Sequence, residues 1–316
     1  MPAAADVAVV IPLHDEVEAL PLLHDELMAA LPSWPADRVE IIYVDDGSTD
    51  GSDVLLEKLH AQHPDVVRVV TLRRRFGKSG ALAAGFAHAS AAVIVTIDAD
   101  GQDDPAQVPA VLALLDEGYD VVAGWRRERH DRVAKRWTSR WYNAATRVLT
   151  GLDLHDFNTG MKAFRREVVD ELPLYGEFHR FVPVLAHDLG FKVGEVAVAH
   201  RERLAGVSKF RSVTRFPKTL LDLLTVLFLT RFADRPLYLF GGLGLLLSAA
   251  GGAALTYLAV IKLAYGQGIG TRPLLQLGVL MLLLGVQLVG IGFIGDVLRH
   301  AAAGREPSYR VRRTLP

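Results

Sequence analysis

The sequence predicts an α/β protein in which a doubly wound, mostly parallel sheet is followed by an interfacial helix and two transmembrane helices. Three observations lead to this fold class. Short apolar runs alternate with stretches of helical apolar spacing in the first part of the chain. Several of these runs end directly in polar or charged residues, and the last third contains two long uncharged apolar runs. Alternation of strands and helices is typical of parallel sheets covered by helices.

The predicted elements follow one another in a regular order. Strands are predicted at residues 7–13, 40–44, 66–72, the start of 93–105, and 120–123. The spacing of apolar residues predicts helices at residues 18–31, 53–63, 79–91 and 133–149. Residues 156–165 depart from any regular pattern, so they are predicted to be irregular.

Composition limits the classes of function. A chain of 316 residues is long enough for one large domain and an appendage. Its 35 Lys and Arg residues balance 36 Asp and Glu residues, so net charge gives no indication of a nucleic-acid partner. The absence of cysteine excludes disulfides, thiolate zinc sites and cysteine nucleophiles. The first residues lack a basic segment followed by a long apolar run, so no secretory signal is expected.

Polar side chains follow four of the predicted strands. Ligands of doubly wound sheets bind at the carboxyl ends of the strands, where such side chains meet. The strand ends carry His14 and Glu16, Asp45 and Asp46, the basic loop 73–78, and the acidic cluster 98–102. The sequence therefore predicts a binding site at this edge of the sheet.

The acidic cluster has the pattern of a metal site. Asp98, Asp100 and Gln102 are spaced by two, so on an extended chain their side chains point the same way. Three oxygen donors on one side suit Mg²⁺ or Mn²⁺, whose other positions go to phosphate oxygens and water. The alternative is a solvated acidic turn before a helix that starts near Pro105.

Two nucleotide-binding classes are excluded by their missing glycines. A dinucleotide-binding fold needs a glycine-rich turn after its first strand, but this chain has IPLHDE there. A G-x-x-x-x-G-K-[ST] phosphate loop is also absent. A nucleotide would have to be held by a metal and by cations instead.

Four motifs carry a resemblance to a known family. In order and spacing, VVIPLHDE, VDDGSTDG, RRFGKSGALAAGF and IDADGQDDP resemble the inverting family 2 glycosyltransferases with a GT-A fold. More narrowly, the whole chain is similar to the polyprenyl-phosphate branch, typified by dolichyl-phosphate mannose synthase and bactoprenol glucosyltransferases. This resemblance implies transfer of a hexose from a nucleotide sugar, of the GDP-mannose or UDP-glucose type, to polyprenyl phosphate with inversion of the anomer.

The resemblance also implies roles for individual residues. The donor contacts it implies are Pro12, His14, Glu16, Val44, Asp45, Asp46, Lys78, Asp98, Ala99, Asp100 and Arg126. The implied metal ligands are Asp98, Asp100 and Gln102, and the catalytic residues are Asp98, Asp100, Arg126 and Arg203. The family often has Tyr at His14, Asn at Arg75 and Pro at Asp104. Simpler alternatives are that Asp45 and Asp50 cap a turn and a helix, and that loop 73–78 is a solvated edge.

Cations are expected around the acceptor, because a lipid phosphate is already an anion and needs no general base. The candidates for holding it are His179, Arg180, Arg201, Arg203, Ser208 and Lys209. The last four resemble the family's phosphate-binding loop. Asp156 is the nearest carboxylate in the acceptor-side loop. Alternatively, a basic run next to the membrane only attracts anionic lipids.

The C-terminal third predicts a membrane anchor. Residues 216–231 are too short and too charged to span a bilayer and are predicted to form an interfacial helix. The uncharged runs 237–261 and 274–294 are long enough to span, the alternative being a helical hairpin in a soluble core. Arginines flank the two predicted spans on both outer sides, which predicts that both termini lie on the cytoplasmic side of a plasma or inner membrane.

These expectations define a domain plan and two rival functions. The plan has a cytosolic catalytic domain at 1–211, juxtamembrane helices at 212–235, a transmembrane hairpin at 236–298 and a basic tail at 299–316. A polysaccharide synthase is one rival, although the chain lacks its Q-x-x-R-W motif and additional spans. A non-catalytic membrane scaffold is the other, although Asp98, Asp100 and Gln102 are all present. A homo-oligomer is left open.

Overall fold

A computed structural model describes residues 5–127, 146, 147, 150–199, 201, 225, 228, 232 and 235–303, with the backbone alone for 299–303. The chain forms two compact units, Met1–Leu223 and Leu224–Pro316. The first holds the predicted catalytic domain, and its boundary lies beyond the predicted residue 211.

The described part of the first unit contains a seven-stranded mixed sheet. Its strands are β1 (Val7–Leu13), β2 (Val39–Asp45), β3 (Val67–Thr71), β4 (Val93–Thr96), β5 (Val121–Arg126), β6 (Lys162–Arg165) and β7 (Val193–Val198). Their order across the sheet is β3-β2-β1-β4-β6-β5-β7. Strand β6 is antiparallel to both of its neighbours, and the other described pairs are parallel. The prediction of a mostly parallel α/β sheet is confirmed.

Strand β6 corrects the sequence analysis. Residues 156–165 were predicted to be irregular, and this is wrong for Lys162–Arg165, which pairs with both β4 and β5. The strand has only four residues, KAFR, with a charged residue at each end. Such a short run shows no alternation, and its strand conformation depends on the two partners that flank it. Strand β7 was also not predicted.

Six α-helices are described in this unit. They are α1 (Leu20–Ala30), α2 (Ser52–Gln62), α3 (Lys78–His88), α4 (Val108–Asp116), α5 (Arg166–Glu171) and α6 (Val182–Asp188). The three predicted helices 18–31, 53–63 and 79–91 are confirmed with ends shifted by up to three residues. The predicted helix 133–149 lies almost entirely outside the described residues.

Helix α3 lies unusually close to the sheet because it contains Gly85. A β-carbon at this position would lie 2.3 Å from Cγ1 of Val10 in β1 and 3.1 Å from Cγ2 of Val44 in β2. The helix therefore rests directly on two buried strands. This contact fixes the direction of α3, whose first residue, Lys78, lies at the carboxyl edge of the sheet.

The described part of the second unit contains two long helices, α7 (Pro236–Tyr265) and α8 (Pro273–Ala303). They pack through glycines: a β-carbon on Gly244 would lie 2.6 Å from the carbonyl oxygen of Gly285. Residues Pro236–Tyr265 and Pro273–Leu298 are candidate membrane spans by length and apolar composition. The predicted spans 237–261 and 274–294 fall within them. Most of the predicted segments 212–235 and 299–316 lies outside the described residues.

Candidate functional site

The carboxyl edge of the sheet brings most of the described candidate residues together. Strands β1, β2, β4 and β5 end there. His14, Asp46 and Arg127 directly follow β1, β2 and β5, and Asp98 lies two residues after the end of β4. Because β6 runs the opposite way, it is its first residue, Lys162, that lies at this edge. The segment 98–104 after β4 is called the acidic loop below.

Asp98 and Lys78 form an ion pair at the centre of this edge. Burial alone would raise the pKa of the Asp98 carboxyl, but the charges of Lys78, Lys162 and Arg126 outweigh it and hold the pKa below its usual value. Asp98 is therefore an anion surrounded by cations at neutral pH. Lys78, a predicted donor contact, thus lies beside the acidic loop.

Asp103 lies beside Asp98, is more deeply buried than Asp98, and was not assigned a role from the sequence. It is 3 % exposed, and its Oδ2 lies 3.5 Å from the backbone nitrogen of Asp98. Burial and the negative charge of Asp98 raise the pKa of Asp103 to about 7. Gly160 packs against both carboxylates, since a β-carbon there would lie 2.3 Å from Asp103 Oδ2 and 2.5 Å from Asp98 Cγ.

The donor set of the acidic loop fits a hard divalent cation. Asp100 Oδ1 accepts a hydrogen bond from the backbone nitrogen of Gln102 at 3.1 Å, and the Gln102 amide donates to the carbonyl of Arg201 at 3.3 Å. No group of three His, Asp or Glu side chains forms a ready metal cage in the described part of the chain. Mg²⁺ typically takes one or two carboxylates and completes its sphere with substrate phosphates and water. Besides burial, the negative charges of Asp98 and Asp100 raise the pKa of Asp103, and a bound cation would offset these charges.

Arg126 is held by Asp156. Its Nε and a terminal nitrogen donate to the two carboxylate oxygens at 2.7 and 3.1 Å, and the terminal nitrogen also donates to the Asn158 carbonyl at 2.8 Å. Burial lowers the pKa of Arg126, but the Asp156 carboxylate outweighs this and raises it. Asp156, the carboxylate noted on the acceptor side, is thus an ion-pair partner that anchors the loop before β6 to the end of β5.

Lys162 is a buried cation that the sequence analysis missed. It is 5 % exposed and donates to the carbonyl of Thr159. Burial and the neighbouring Lys78 lower its pKa to about 8, so it is still mostly charged at neutral pH. The sequence shows only a lysine before the apolar pair Ala163 and Phe164 in KAFR. This pattern indicates a buried lysine only once β6 is known to be a buried strand.

The residues after β1 and β2 form a rigid hydrogen-bonded turn. Both carboxylate oxygens of Asp46 accept from backbone nitrogens, of Phe76 at 2.6 Å and of Gly77 at 2.8 Å. Asp45 accepts from the Ser48 nitrogen at 2.9 Å, and Asp50 accepts from the Ser52 nitrogen at 3.0 Å. Asp45 and Asp50 thus have the capping contacts of the simpler alternative, and Asp46 fixes the loop that leads to Lys78.

The other predicted donor contacts lie on the same edge. Pro12 of β1 pairs in register with Val44 of β2. Val44 and Ala99 are buried, so their contact with a ligand would be through the backbone. His14 lies 3.3 Å from the Asp15 carboxylate, and the nitrogen of Glu16 donates to the Ser52 hydroxyl at 3.1 Å.

His179 does not have the charge expected of it. Its Nδ1 and its backbone nitrogen both lie 3.0 Å from the Ser79 hydroxyl oxygen, next to Lys78. Burial and the positive charges of Lys78, Arg180 and Lys162 lower its pKa to about 2. His179 is therefore neutral and adds no positive charge for an acceptor phosphate. Arg180 is paired with Glu177 at 2.9 Å.

We expect His179 to make the protein sensitive to acid. With a pKa of about 2 when folded and 6.5 when unfolded, the unfolded state binds more protons between these values. The contribution of His179 to stability is thus complete above about pH 6.5 and decreases as pH falls below it. In denaturant titrations of the purified protein, His179→Asn should lose less stability than the wild type between pH 7 and pH 5. Equal losses of stability in the two proteins would contradict a neutral His179.

Of the remaining acceptor candidates, only Arg201 is described. It pairs with Glu26 of α1 through two hydrogen bonds, at 3.0 and 2.6 Å. Arg203, Ser208 and Lys209 lie outside the described residues.

Comparison with known proteins identifies the family. The model of glycosyl transferase family 2 matches residues 8–173, which include β1 to β6 and the acidic loop. The chain belongs to glycosyl transferase family 2. It is therefore a glycosyltransferase, and the resemblance carried by the four motifs is confirmed.

Curated relatives of this glycosyltransferase match nearly its whole length. The dodecaprenyl-phosphate galacturonate synthase of Rhizobium johnstonii is 36% identical over 97% of this chain and 92% of its own. The undecaprenyl-phosphate 4-deoxy-4-formamido-L-arabinose transferase of Pseudomonas aeruginosa is 36% identical over 92% and 84%. The enzyme of the same name from Klebsiella pneumoniae is 34% identical over 99% and 95%.

Solved structures support the fold. Glucosyl-3-phosphoglycerate synthase from Mycobacterium tuberculosis has a TM-score of 0.55 and 23% sequence identity, covering 72% of this chain and 80% of its own. Structures of that enzyme contain Mn²⁺ with UDP-glucose, or Mg²⁺ with UDP. The GT-A-like architecture predicted for the glycosyltransferase is confirmed.

Substitution of Gly160 tests the packing of the two carboxylates. We expect Gly160→Ala to reduce sugar transfer about a hundredfold, because the new methyl group must displace Asp98 and Asp103, and small misplacements at a reacting centre have effects of this size. The fold should survive, since the displaced atoms are side-chain ends. Gly268→Ala is the matched control, as nothing lies within 4 Å of its added β-carbon. Equal activity of the two purified variants would refute the packing argument.

Proposed function

We propose that this enzyme transfers a hexose from a nucleotide sugar, of the GDP-mannose or UDP-glucose type, to polyprenyl phosphate with inversion at the anomeric carbon. The observation that carries the proposal is the composition of the carboxyl edge, where the carboxylates of the acidic loop lie among Lys78, Lys162 and Arg126. A nucleotide diphosphate binds through a divalent cation, which carboxylates hold, and through positively charged side chains, so its site needs both kinds of group. The polyprenyl acceptor is supported by the names of the relatives and by the candidate spans.

The donor would bind through its diphosphate. Asp98, Asp100 and Gln102 would hold Mg²⁺ or Mn²⁺, which acts as a Lewis acid for the departing diphosphate when bound. Lys78 supplies a charge that is already oriented by Asp98. Lys162, fixed on the Thr159 carbonyl, adds a second positive charge that acts on the same carboxylate. Charges set in place before the reaction stabilise developing negative charge without reorganisation.

The nucleoside would lie over β1 and β2. Pro12, His14 and Glu16 follow one strand, and Val44, Asp45 and Asp46 end the next, so the two sets are adjacent. Asp46 orders the turn into α3, which keeps Lys78 at a fixed distance from this surface. Arg126 and Asp156 would form the opposite wall.

The acceptor would attack without a general base. A phosphate monoester of a lipid is an anion at neutral pH, so its oxygen attacks the anomeric carbon opposite the diphosphate. Arg180, Arg203, Ser208 and Lys209 remain the predicted acceptor contacts. Their position before the candidate spans supports an acceptor at the membrane surface.

The orientation in the membrane follows from the charges outside the spans. Arginines precede the first span and follow the second, namely Arg231, Arg235, Arg299, Arg305, Arg310, Arg312 and Arg313. Between these two groups of arginines, the chain has only Lys262, in the last turn of α7, and Arg272 as basic residues. The positive-inside tendency therefore favours cytoplasmic termini, on the side where nucleotide sugars are available.

The test is a donor panel. The purified enzyme is incubated with undecaprenyl phosphate, Mg²⁺ or Mn²⁺, and one labelled nucleotide sugar at a time: GDP-mannose, UDP-glucose, a UDP-hexosamine and UDP-galacturonate. Label should enter the lipid fraction with one donor or a few. The intact lipid product should carry the sugar as the inverted anomer, and mild acid should release the labelled sugar. Label in a long water-soluble polymer would favour a polysaccharide synthase instead. No incorporation from any donor would overturn the proposal.

A further inference from the structure

Glu26 and Arg201 join three distant parts of the chain. Glu26 lies on α1, Arg201 lies just after β7, and Arg201 contacts the acidic loop. The Arg201 guanidinium donates to both carboxylate oxygens of Glu26 at 3.0 and 2.6 Å. A terminal nitrogen of the same guanidinium lies 3.4 Å from the Gly101 carbonyl.

The backbone of Arg201 is bound as well. Its nitrogen donates to the Gln102 carbonyl at 3.0 Å, and its carbonyl accepts from the Gln102 side-chain amide at 3.3 Å. Arg201 is thus tied to the acidic loop by its main chain and to α1 by its side chain. We call Glu26, Arg201 and Gln102 the clasp.

We propose that the clasp holds the chain at Arg201 against the acidic loop and so orients it for the acceptor, with Glu26 and Arg201 acting as positioning residues. This inference rests on the proposed function. The chain continues from Arg201 to Arg203, a predicted acceptor contact, only two residues later in the sequence. Fixing Arg201 on Gln102 sets the distance between the loop that would hold the donor diphosphate and the start of the segment that would hold the acceptor.

The geometry gives Arg201 a different role from the one the sequence suggested. Both terminal nitrogens are used by a carboxylate, so the positive charge is already neutralised. A lipid phosphate would have to compete with that bidentate pair. Glu26 had no place in the sequence analysis, because 175 positions separate it from its partner.

An ordinary surface ion pair is the alternative. The two side chains are 31% and 34% exposed, and exposed pairs contribute little to stability. The clasp differs from such a pair because its arginine is fixed at the main chain by a proposed metal ligand. The two interpretations predict different kinetics, since a surface pair has no reason to affect one substrate more than the other.

The experiment is a double-mutant cycle with Glu26→Gln, Arg201→Gln and the double variant. Asp25→Asn is the matched control, an exposed neighbouring carboxylate on α1. We expect the KM for undecaprenyl phosphate to rise about tenfold in each single variant, the size of effect measured for charge-assisted contacts. Affinity for UDP or GDP should change less than about twofold, and the double variant should be no worse than either single one.

Hydrogen exchange provides a readout that does not depend on the reaction. The Arg201 amide is bonded to the Gln102 carbonyl, so its exchange should accelerate in Glu26→Gln and stay unchanged in Asp25→Asn. If the wild type transfers no sugar to polyprenyl phosphate, the proposed function fails, and exchange still decides whether the clasp exists. If Glu26→Gln matches Asp25→Asn in both exchange and lipid KM, the clasp is overturned. Additive effects in the double variant would likewise overturn it.

Discussion

Asp100→Ala should reduce sugar transfer by about a thousandfold or more while the protein remains folded. Asp100 belongs to the acidic loop after β4, two residues beyond Asp98, and it is one of the two carboxylates proposed for the divalent cation. Losing a metal ligand removes the charge stabilisation of the departing diphosphate, which is among the largest contributions available to such a site. The measurement is kcat/KM with saturating metal, together with circular dichroism.

Asp104 supplies the control for this experiment. It belongs to the same loop, but its side chain caps the turn at Pro105–Gln107 by accepting from the Ala106 nitrogen at 3.0 Å. Asparagine is an equally good cap, so Asp104→Asn should keep nearly full activity. A wild-type rate in Asp100→Ala would contradict the proposal that Asp100 is a metal ligand. Full activity of the wild type with excess chelator would contradict the proposal that the reaction requires a metal.

Asp156→Ala should lower the free energy of unfolding by about 3 kcal/mol or more, the usual cost of leaving a buried charge without its partner. Asp156 is 2% exposed and Arg126 16%, so the guanidinium cannot turn to water easily. Replacing both residues, with Arg126→Met and Asp156→Leu, should recover much of this loss. Urea unfolding in detergent measures both values.

The pair of Arg147 and Asp153 is the exposed counterpart. Its side chains are 39% and 83% exposed, so Asp153→Ala should leave the unfolding midpoint almost unchanged. The double variant at Arg126 and Asp156 also tests the predicted role of Arg126. A stable but inactive double variant supports contact with the donor, and a stable active one assigns Arg126 to structure alone. If Asp156→Ala were as stable as Asp153→Ala, the pair would not be buried in solution.

The strand-end residues of the first half of the sheet could be predicted from sequence because they depend on local pattern. A buried apolar run predicts a strand, parallel strands end at one edge, and the residues that follow must meet there. This reasoning correctly brought Asp46, Lys78 and Asp98 together. The four motifs then added the family, which the comparison confirmed.

Long-range pairing decided what the sequence did not show. Lys162 and Gly160 join the site because β6 inserts between β4 and β5. The four residues of β6 contain no pattern that predicts this pairing. His179 was expected to be a cation, but packing against Lys78 and Ser79 leaves it neutral. Glu26 pairs across 175 positions of sequence. Each case depends on burial or contact between segments that local patterns treat as independent.

The reversed direction of β6 has a consequence for how such enzymes diverge. Strand β5 ends at the carboxyl edge and β6 begins there, so the connecting residues 127–161 leave and return at the same edge. Arg126 and Asp156 join the two ends of this excursion. It can therefore change in length or be exchanged between relatives without altering strand order. We expect grafts of this segment that keep Asp156 and Gly160 to shift substrate preference while the sheet stays intact.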